Sequence, residues 1–270
     1  MSEVRHTLDG PLFLGRTGRG VRVAVVDSGV TSGHPHVGVV SESVCIGAET
    51  AATAENAGYA ESVENAENAE PAATAATAAL DRLGHGTAVA AAIKEKAPAI
   101  ELVSVKVFDR SLTTSADVLA RAITWAADHD VRLINLSLGT ANPARADVLR
   151  AAVEHATSCG AIVVSARESD GVEWLPGSLP GVAGVLVDWE CERDALTFEL
   201  DESGRATFRA SAYPRPIPGV PRERNLSGVS FAVANVTGFL ARLLEGNPAA
   251  RGLTDLSRLL CRPREPGRSV

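Results

Sequence analysis

The stretch Asn225–Leu244, NLSGVSFAVANVTGFLARLL, decides how the rest of the chain is read. A Gly228-Val229-Ser230 turn runs straight into an apolar series: Phe231, Val233, Ala234, Val236, Phe239, Leu240, Leu243 and Leu244. Apolar residues fall on almost every face, which predicts a helix through the middle of the molecule rather than one lying on it. A serine in the first turn of such a helix sits among unpaired backbone N–H groups, at the positive end of the helix dipole. A nucleophile whose reaction partner becomes an oxyanion is well placed there. Equally, a serine at that point can do no more than cap the helix.

A buried helix needs a sheet to cover, and the preceding sequence supplies one. Val21–Asp27 (VRVAVVD) is an apolar run that suits a strand buried on both faces, and it ends in Asp27-Ser28-Gly29. An acid at the carboxyl end of such a strand lies where open α/β sheets place their sites, although it can also just cap the next turn. Further along, strands and helices alternate. Glu101–Val107 is strand-like, and Ser115 caps a helix reaching Asp128. Arg132–Leu138 is a strand, Asn142-Pro143 opens a helix closing near Gly160, and Ala161–Ser165 is a strand again. The series predicts a doubly wound, mostly parallel α/β sheet with helices on both faces. A strand over Val182–Asp188, a hairpin about Asp201–Gly204 and a short helix over Thr254–Leu260 complete the reading.

Two segments stand outside this alternation. Residues 1–20 read as a polar lead-in. Residues 41–79, rich in Ala, Glu, Asn and Thr, carry seven glutamates and no lysine or arginine. Such a composition predicts a low-complexity surface insertion within one domain spanning 1–270.

Composition narrows the function classes. The chain has 270 residues, 45% of them hydrophobic, enough for a sizeable core, and its net charge of −7 argues against nucleic acid as a partner. No apolar run approaches the ~18 residues of a membrane span, and the N-terminus has no apolar export core. Cys45, Cys159, Cys191 and Cys261 form no Cys-x-x-Cys pair, so free thiols, a cytoplasmic location and no metal are expected. No cofactor is indicated, and no loop has the regular oxygen ligands of a calcium site.

Leu83–Ile93 (LGHGTAVAAAI) places His85 between two glycines at the start of a helix of small residues. The other histidines, His6, His34, His36, His129 and His155, read as solvated. Asp27 in DSG, His85 in HGT and Ser230 in GVS therefore stand in one order. That order resembles the subtilisin-like serine peptidases, whose triad runs Asp, His, Ser. Further similarity lies in Ala97-Pro98, in Ile134–Gly139 (INLSLG) and in Ser230–Gly238 (SFAVANVTG). The resemblance covers roughly residues 20–245 apart from the insertion.

The resemblance implies a serine endopeptidase acting on a peptide or protein, with Ser230 as nucleophile, His85 as general base and Asp27 orienting the imidazole. It implies that Ser137, Leu138 and Gly139 pair with the substrate backbone and wall a specificity pocket, the other wall being Ala166–Asp170. Glu168, Asp170 and Glu173 suggest a preference for a basic side chain there. The departures are as informative. In relatives an Ala-Gly-Asn turn supplies an asparagine donor to the oxyanion. Here the turn reads Ser165-Ala-Arg-Glu-Ser-Asp-Gly171, leaving Arg167 and Ser169 as replacement candidates. Val229 stands for the usual threonine, and Ala234-Asn235 for Pro-His. Loss of that asparagine costs on the order of 10²–10³-fold in kcat, or ~2.7–4 kcal/mol, a magnitude measured within this very family. Two expectations follow: a slow enzyme of narrow range, or a scaffold that binds peptides without turnover.

Overall fold

In the computed structural model, residues 3–47 and 80–261 are described. In chain order the elements are β1 (Val4–Thr7), β2 (Arg22–Asp27), β3 (Glu42–Cys45), α1 (His85–Lys96), β4 (Glu101–Lys106), α2 (Ala116–Asp128) and β5 (Leu133–Leu136). Then come α3 (Ala146–Ser158), β6 (Ile162–Ala166), β7 (Glu168–Ser169), β8 (Val172–Glu173), β9 (Ala183–Asp188), β10 (Ala195–Leu200), β11 (Ala206–Ser211), α4 (Val229–Glu245) and α5 (Leu253–Leu260).

Nine strands form one sheet in the order β1-β10-β11-β9-β6-β5-β2-β4-β3. The run from β3 through β11 pairs in parallel, and β10 and β1 extend it antiparallel at one edge. This is the expected mostly parallel α/β architecture. Alternation along β2 separates two cores: Val23 and Val25 face the layer holding α1, α4 and α5, while Ala24 and Val26 face α2 and α3. Both faces are covered, which is why Val23–Val26 of β2 is a continuous apolar run.

The 225–244 stretch forms the buried helix α4, and its polar side chains are paired rather than solvated. Thr237 Oγ1 donates to Asn135 Oδ1 (2.9 Å), and Asn235 Nδ2 donates to the carbonyls of Ser211 (3.0 Å) and Tyr213 (3.2 Å). The α2 cap lies where the sequence places it, with Val118 N–H donating to Ser115 Oγ (3.2 Å). Asn142 and Pro143 open a short 3₁₀ turn that leads into α3 rather than α3 itself.

Two expectations are corrected. The lead-in is structured: β1 pairs with β10, Phe13 is buried, and half-buried His6 packs edge-on against it. The insertion begins later than residue 41, because Glu42–Cys45 pairs with β4 and Glu42 meets Arg22. That short strand was hidden because an edge strand with one solvated face needs few apolar residues. The rest of the low-complexity stretch, 48–79, lies outside the described residues.

Candidate active site

The site is built at the carboxyl edge of the parallel strands. Asp27, the last residue of β2, is fully buried. Its Oδ1 accepts from the Ser28 N–H (2.7 Å) and from His85 Nδ1 (2.7 Å), with Ser28 Oγ 3.2 Å away. His85 opens α1 directly after Gly84, whose φ of 74° is the left-handed turn that brings the chain round. Gly86 lets the helix start hard against β2: a Cβ there would collide with the Gly29 carbonyl and lie 3.0 Å from Asp27 Cβ. The glycines around His85 are thus the local cause of the Asp27–His85 pairing.

Ser230 stands in the first turn of α4, one residue after the helix begins. Gly228, not Ser230, occupies the cap position, so the capping alternative is set aside. The Ser230 hydroxyl donates to the Ser137 carbonyl oxygen (3.3 Å), and its neighbour Phe231 packs its ring 6.3 Å from the His85 ring. Asp27 and His85 are therefore joined by a hydrogen bond, and Ser230 lies against the Ser137 strand end beside them. Among the described residues Ser230 Oγ makes no hydrogen bond to the imidazole.

Electrostatics favour a basic imidazole. Burial is the largest influence on His85 and works against its cation. The hydrogen bond and charge of Asp27, with the charge of Asp81, outweigh it, so the His85 pKa is raised above its ordinary value. Asp81 is the functional residue that sequence reasoning missed. Its Oδ1 accepts from Ser28 Oγ (2.8 Å), Leu83 N (3.1 Å) and Gly84 N (2.8 Å). Its Oδ2 accepts from Thr87 N (2.9 Å) and Thr87 Oγ1 (2.6 Å). Ser28 Oγ in turn accepts from Gly86 N (3.0 Å). One carboxylate thereby ties the start of α1 to the residue after Asp27, and these bonds hold its own pKa low against the opposing effect of burial, the largest single influence. The available signal was an acid four residues before His85.

A prediction follows for Asp81→Asn. A general base must be neutral, so a raised His85 pKa places the acid limb of kcat/KM above the ordinary histidine value of ~6.5. Removing the Asp81 charge lowers that pKa, and the acid limb should move to lower pH. A pH profile unmoved by the substitution would show that Asp81 acts on the fold alone.

The oxyanion candidates separate. Arg167 is drawn away: its stem lies over Gly184, where a Cβ would sit 3.2–3.3 Å from Arg167 Cβ and Cδ, and its guanidinium bonds Thr207 Oγ1. Because Gly184 has no side chain, the arginine stem fills that groove on the sheet and commits one guanidinium nitrogen to Thr207. Ser169 lines a cleft of about 350 Å³ with Glu168, Asp170 and Arg209, bordered by Gly228 and Val229 just before Ser230. Glu173 is not among the residues lining it. Arg209 was also missed; its signal is a lone charge, half-buried, on the otherwise buried strand β11.

Ser137–Gly139 continues from β5, with Asn135 Nδ2 donating to Ser137 Oγ (3.0 Å). Immediately after it, Thr140 bridges Leu175 in both directions (2.9 Å each). A second, apolar cleft of about 420 Å³ abuts Gly84, Thr87 and Ala88 on one side and Ile217 and Leu226 on the other. His34 and His36 line it as well, His34 half-buried and His36 exposed.

Comparison with known proteins gives the family. The model of the subtilase family matches residues 18–170, more than half of the chain. A thermostable alkaline protease of Halalkalibacterium halodurans is 28% identical over 247 residues, 86% of this chain and 59% of that protein. Subtilisin Savinase of Lederbergia lenta is 28% identical over 250 residues, 87% of this chain and 80% of its own. Subtilisin E of Bacillus subtilis is 26% identical over 253 residues, 87% and 58% of the two chains. The chain thus spans a little under three fifths of the length of several curated relatives it matches. Among solved structures, a cold adapted subtilisin-like serine proteinase superposes with a TM-score of 0.61 at 21% identity, covering 90% of this chain and 81% of that one. Sphericase does so with 0.61 at 22%, covering 92% and 84%. The matched region, more than half of the chain, establishes that the chain belongs to the subtilase family, and the solved structures share its fold.

Proposed function

We propose that this chain is a serine endopeptidase that cleaves peptide bonds through an acyl-enzyme, on a narrow set of substrates inside the cell, for example trimming a leader from a precursor peptide. The observation that carries the reading is the 2.7 Å hydrogen bond between His85 Nδ1 and buried Asp27 Oδ1, at the sheet edge where Ser230 stands in the first turn of α4.

Asp27 accepts a hydrogen bond from Nδ1–H, which keeps that proton on Nδ1 and leaves the Nε2 lone pair free for catalysis. On substrate binding, Ser230 Oγ turns from the Ser137 carbonyl to Nε2, a rotation about one side-chain bond. His85 takes its proton as Oγ attacks the scissile carbonyl, and Asp27 stabilises the resulting imidazolium. The same proton then passes to the leaving amine, and water repeats the sequence on the acyl-enzyme. The Ser230 backbone N–H, in the first turn of α4, faces the developing oxyanion together with the positive end of the helix dipole. Ser169, in the adjoining cleft, is the proposed second donor. A peptide laid beside Ser137–Gly139 would be held as an added strand.

Narrow range is supported by the missing asparagine, which removes ~2.7–4 kcal/mol of the 8–23 kcal/mol typical of enzymes and so slows turnover without abolishing it. A reducing compartment is supported by four free thiols. Glu168 and Asp170 support a basic side chain in the cleft, which Arg209 also lines.

A fluorophosphonate probe tests the proposal. Labelling of wild type and none of Ser230→Ala is expected, with slower labelling of Ser169→Ala. Folded wild type that fails to label would instead identify a peptide-binding scaffold, the reading favoured by the lost asparagine.

A further inference from the structure

We infer that Asp128, His155 and Cys159 form a binding site for a divalent transition-metal ion of the zinc type. His155 and Cys159 are four residues apart on α3, hence on one helix face, and Asp128 ends the neighbouring helix α2. His155 Nε2 lies 2.7 Å from Asp128 Oδ1 and 3.8 Å from Cys159 Sγ, and all three ligand atoms fall within 4.8 Å of one another.

The donor set is the argument for the ion. Imidazole, thiolate and carboxylate together suit zinc and its borderline neighbours, with bonds of about 2.0–2.3 Å. Ligand atoms around one tetrahedral ion then lie about 3.3–3.6 Å apart. The Sγ–Nε2 spacing already approaches this. The Nε2–Oδ1 spacing must open by a little over half an ångström, as a metal replaces the proton that the two share. The fourth position faces solvent, and all three residues are exposed, so an ion enters without unfolding.

The surroundings add a second reason. Asp128 is the final residue of α2, and His155 and Cys159 occupy the last turn and cap of α3. Two helix carboxyl ends therefore point their negative dipole ends at one spot, which favours a cation. Both helices deliver the chain to the starts of β5 and β6. The site thus lies at the edge of the sheet away from Asp27, and it is independent of the proposed peptidase activity. An ion there would clamp α2 to α3 and stabilise the fold by mass action.

Titration of the full-length chain with Co²⁺ tests this. One equivalent should give a thiolate-to-cobalt charge-transfer band that Zn²⁺ displaces. Cys159→Ser should abolish the band. Because even outer partners of a metal site are worth 10–100-fold, His155→Gln and Asp128→Asn should each weaken binding on the order of tenfold or more. A Cys45→Ser/Cys261→Ser variant, lacking the other two exposed thiols, should keep the band. In wild type, Zn²⁺ should slow alkylation of Cys159 while sparing Cys45 and Cys261, a readout that needs no variant. No band, a band surviving Cys159→Ser, or unprotected Cys159 would reduce the cluster to a surface ion pair beside a free thiol. Fluorophosphonate labelling of the same variants reads the Ser230 proposal separately.

Discussion

Ser230→Ala and His85→Ala are each expected to lower kcat on the order of 10⁶-fold, and the double variant no further, a magnitude that comes from a subtilisin. The reason is that the hydroxyl and the imidazole do one job. Without the base the hydroxyl is a poor nucleophile, and without the hydroxyl the base has no proton to take. What survives in such variants is binding and oxyanion stabilisation, usually worth 10³–10⁴-fold over water. Here the missing asparagine removes on the order of 10²–10³-fold of that remainder. The inactive variants should therefore run barely faster than the uncatalysed reaction. Single-turnover kinetics on a peptide selected from a library would measure the cycle. Multiplying effects, or a single variant that keeps wild-type turnover, would remove one of the two from the relay.

Asp27→Asn should lower kcat by about 10⁴-fold while leaving the protein folded. The amide is nearly isosteric, and the Ser28 N–H at 2.7 Å still has an oxygen to bind. What disappears is the negative charge in a fully buried position. His85 then loses both its hydrogen bond to a carboxylate and the Coulomb attraction that raise its pKa, while burial continues to oppose its cation. The imidazolium of the transition state loses its support, and the acid limb of kcat/KM moves to lower pH. A loss of less than about tenfold, where a triad carboxylate is normally worth ~10⁴, would show that Asp27 is only a structural residue of the β2 turn.

The sequence exposed those elements whose causes are local. Asp27 was visible because it ends an apolar run, His85 because glycines flank it, and Ser230 because a turn leads it into a buried helix. Each reading had an equally local alternative, and only their order along the chain linked them. Whatever arises from pairing across the molecule was not visible. β1 looked like a polar lead-in, since an edge strand needs only one packed face and a partner, β10, that lies far along the chain. β3 was lost in a low-complexity stretch for the same reason. Nor did the sequence show that Gly184 gives the Arg167 stem a groove and Thr207 bonds one of its guanidinium nitrogens.

By itself, the sequence determined the alternation of strand and helix, the burial of α4 and the element ends at which Asp27, His85 and Ser230 stand. It could do so because periodicity, capping and turn chemistry act over a few neighbouring residues. Tertiary structure alone decided that Asp81 fastens the start of α1 to the β2 turn, that Arg209 enters the cleft beside Gly228, and that Asp128 meets His155 across 27 residues. Those meetings depend on how helices seat on a twisted sheet. Directions of that kind are set by the packing of many side chains at once, and no short window of sequence contains them.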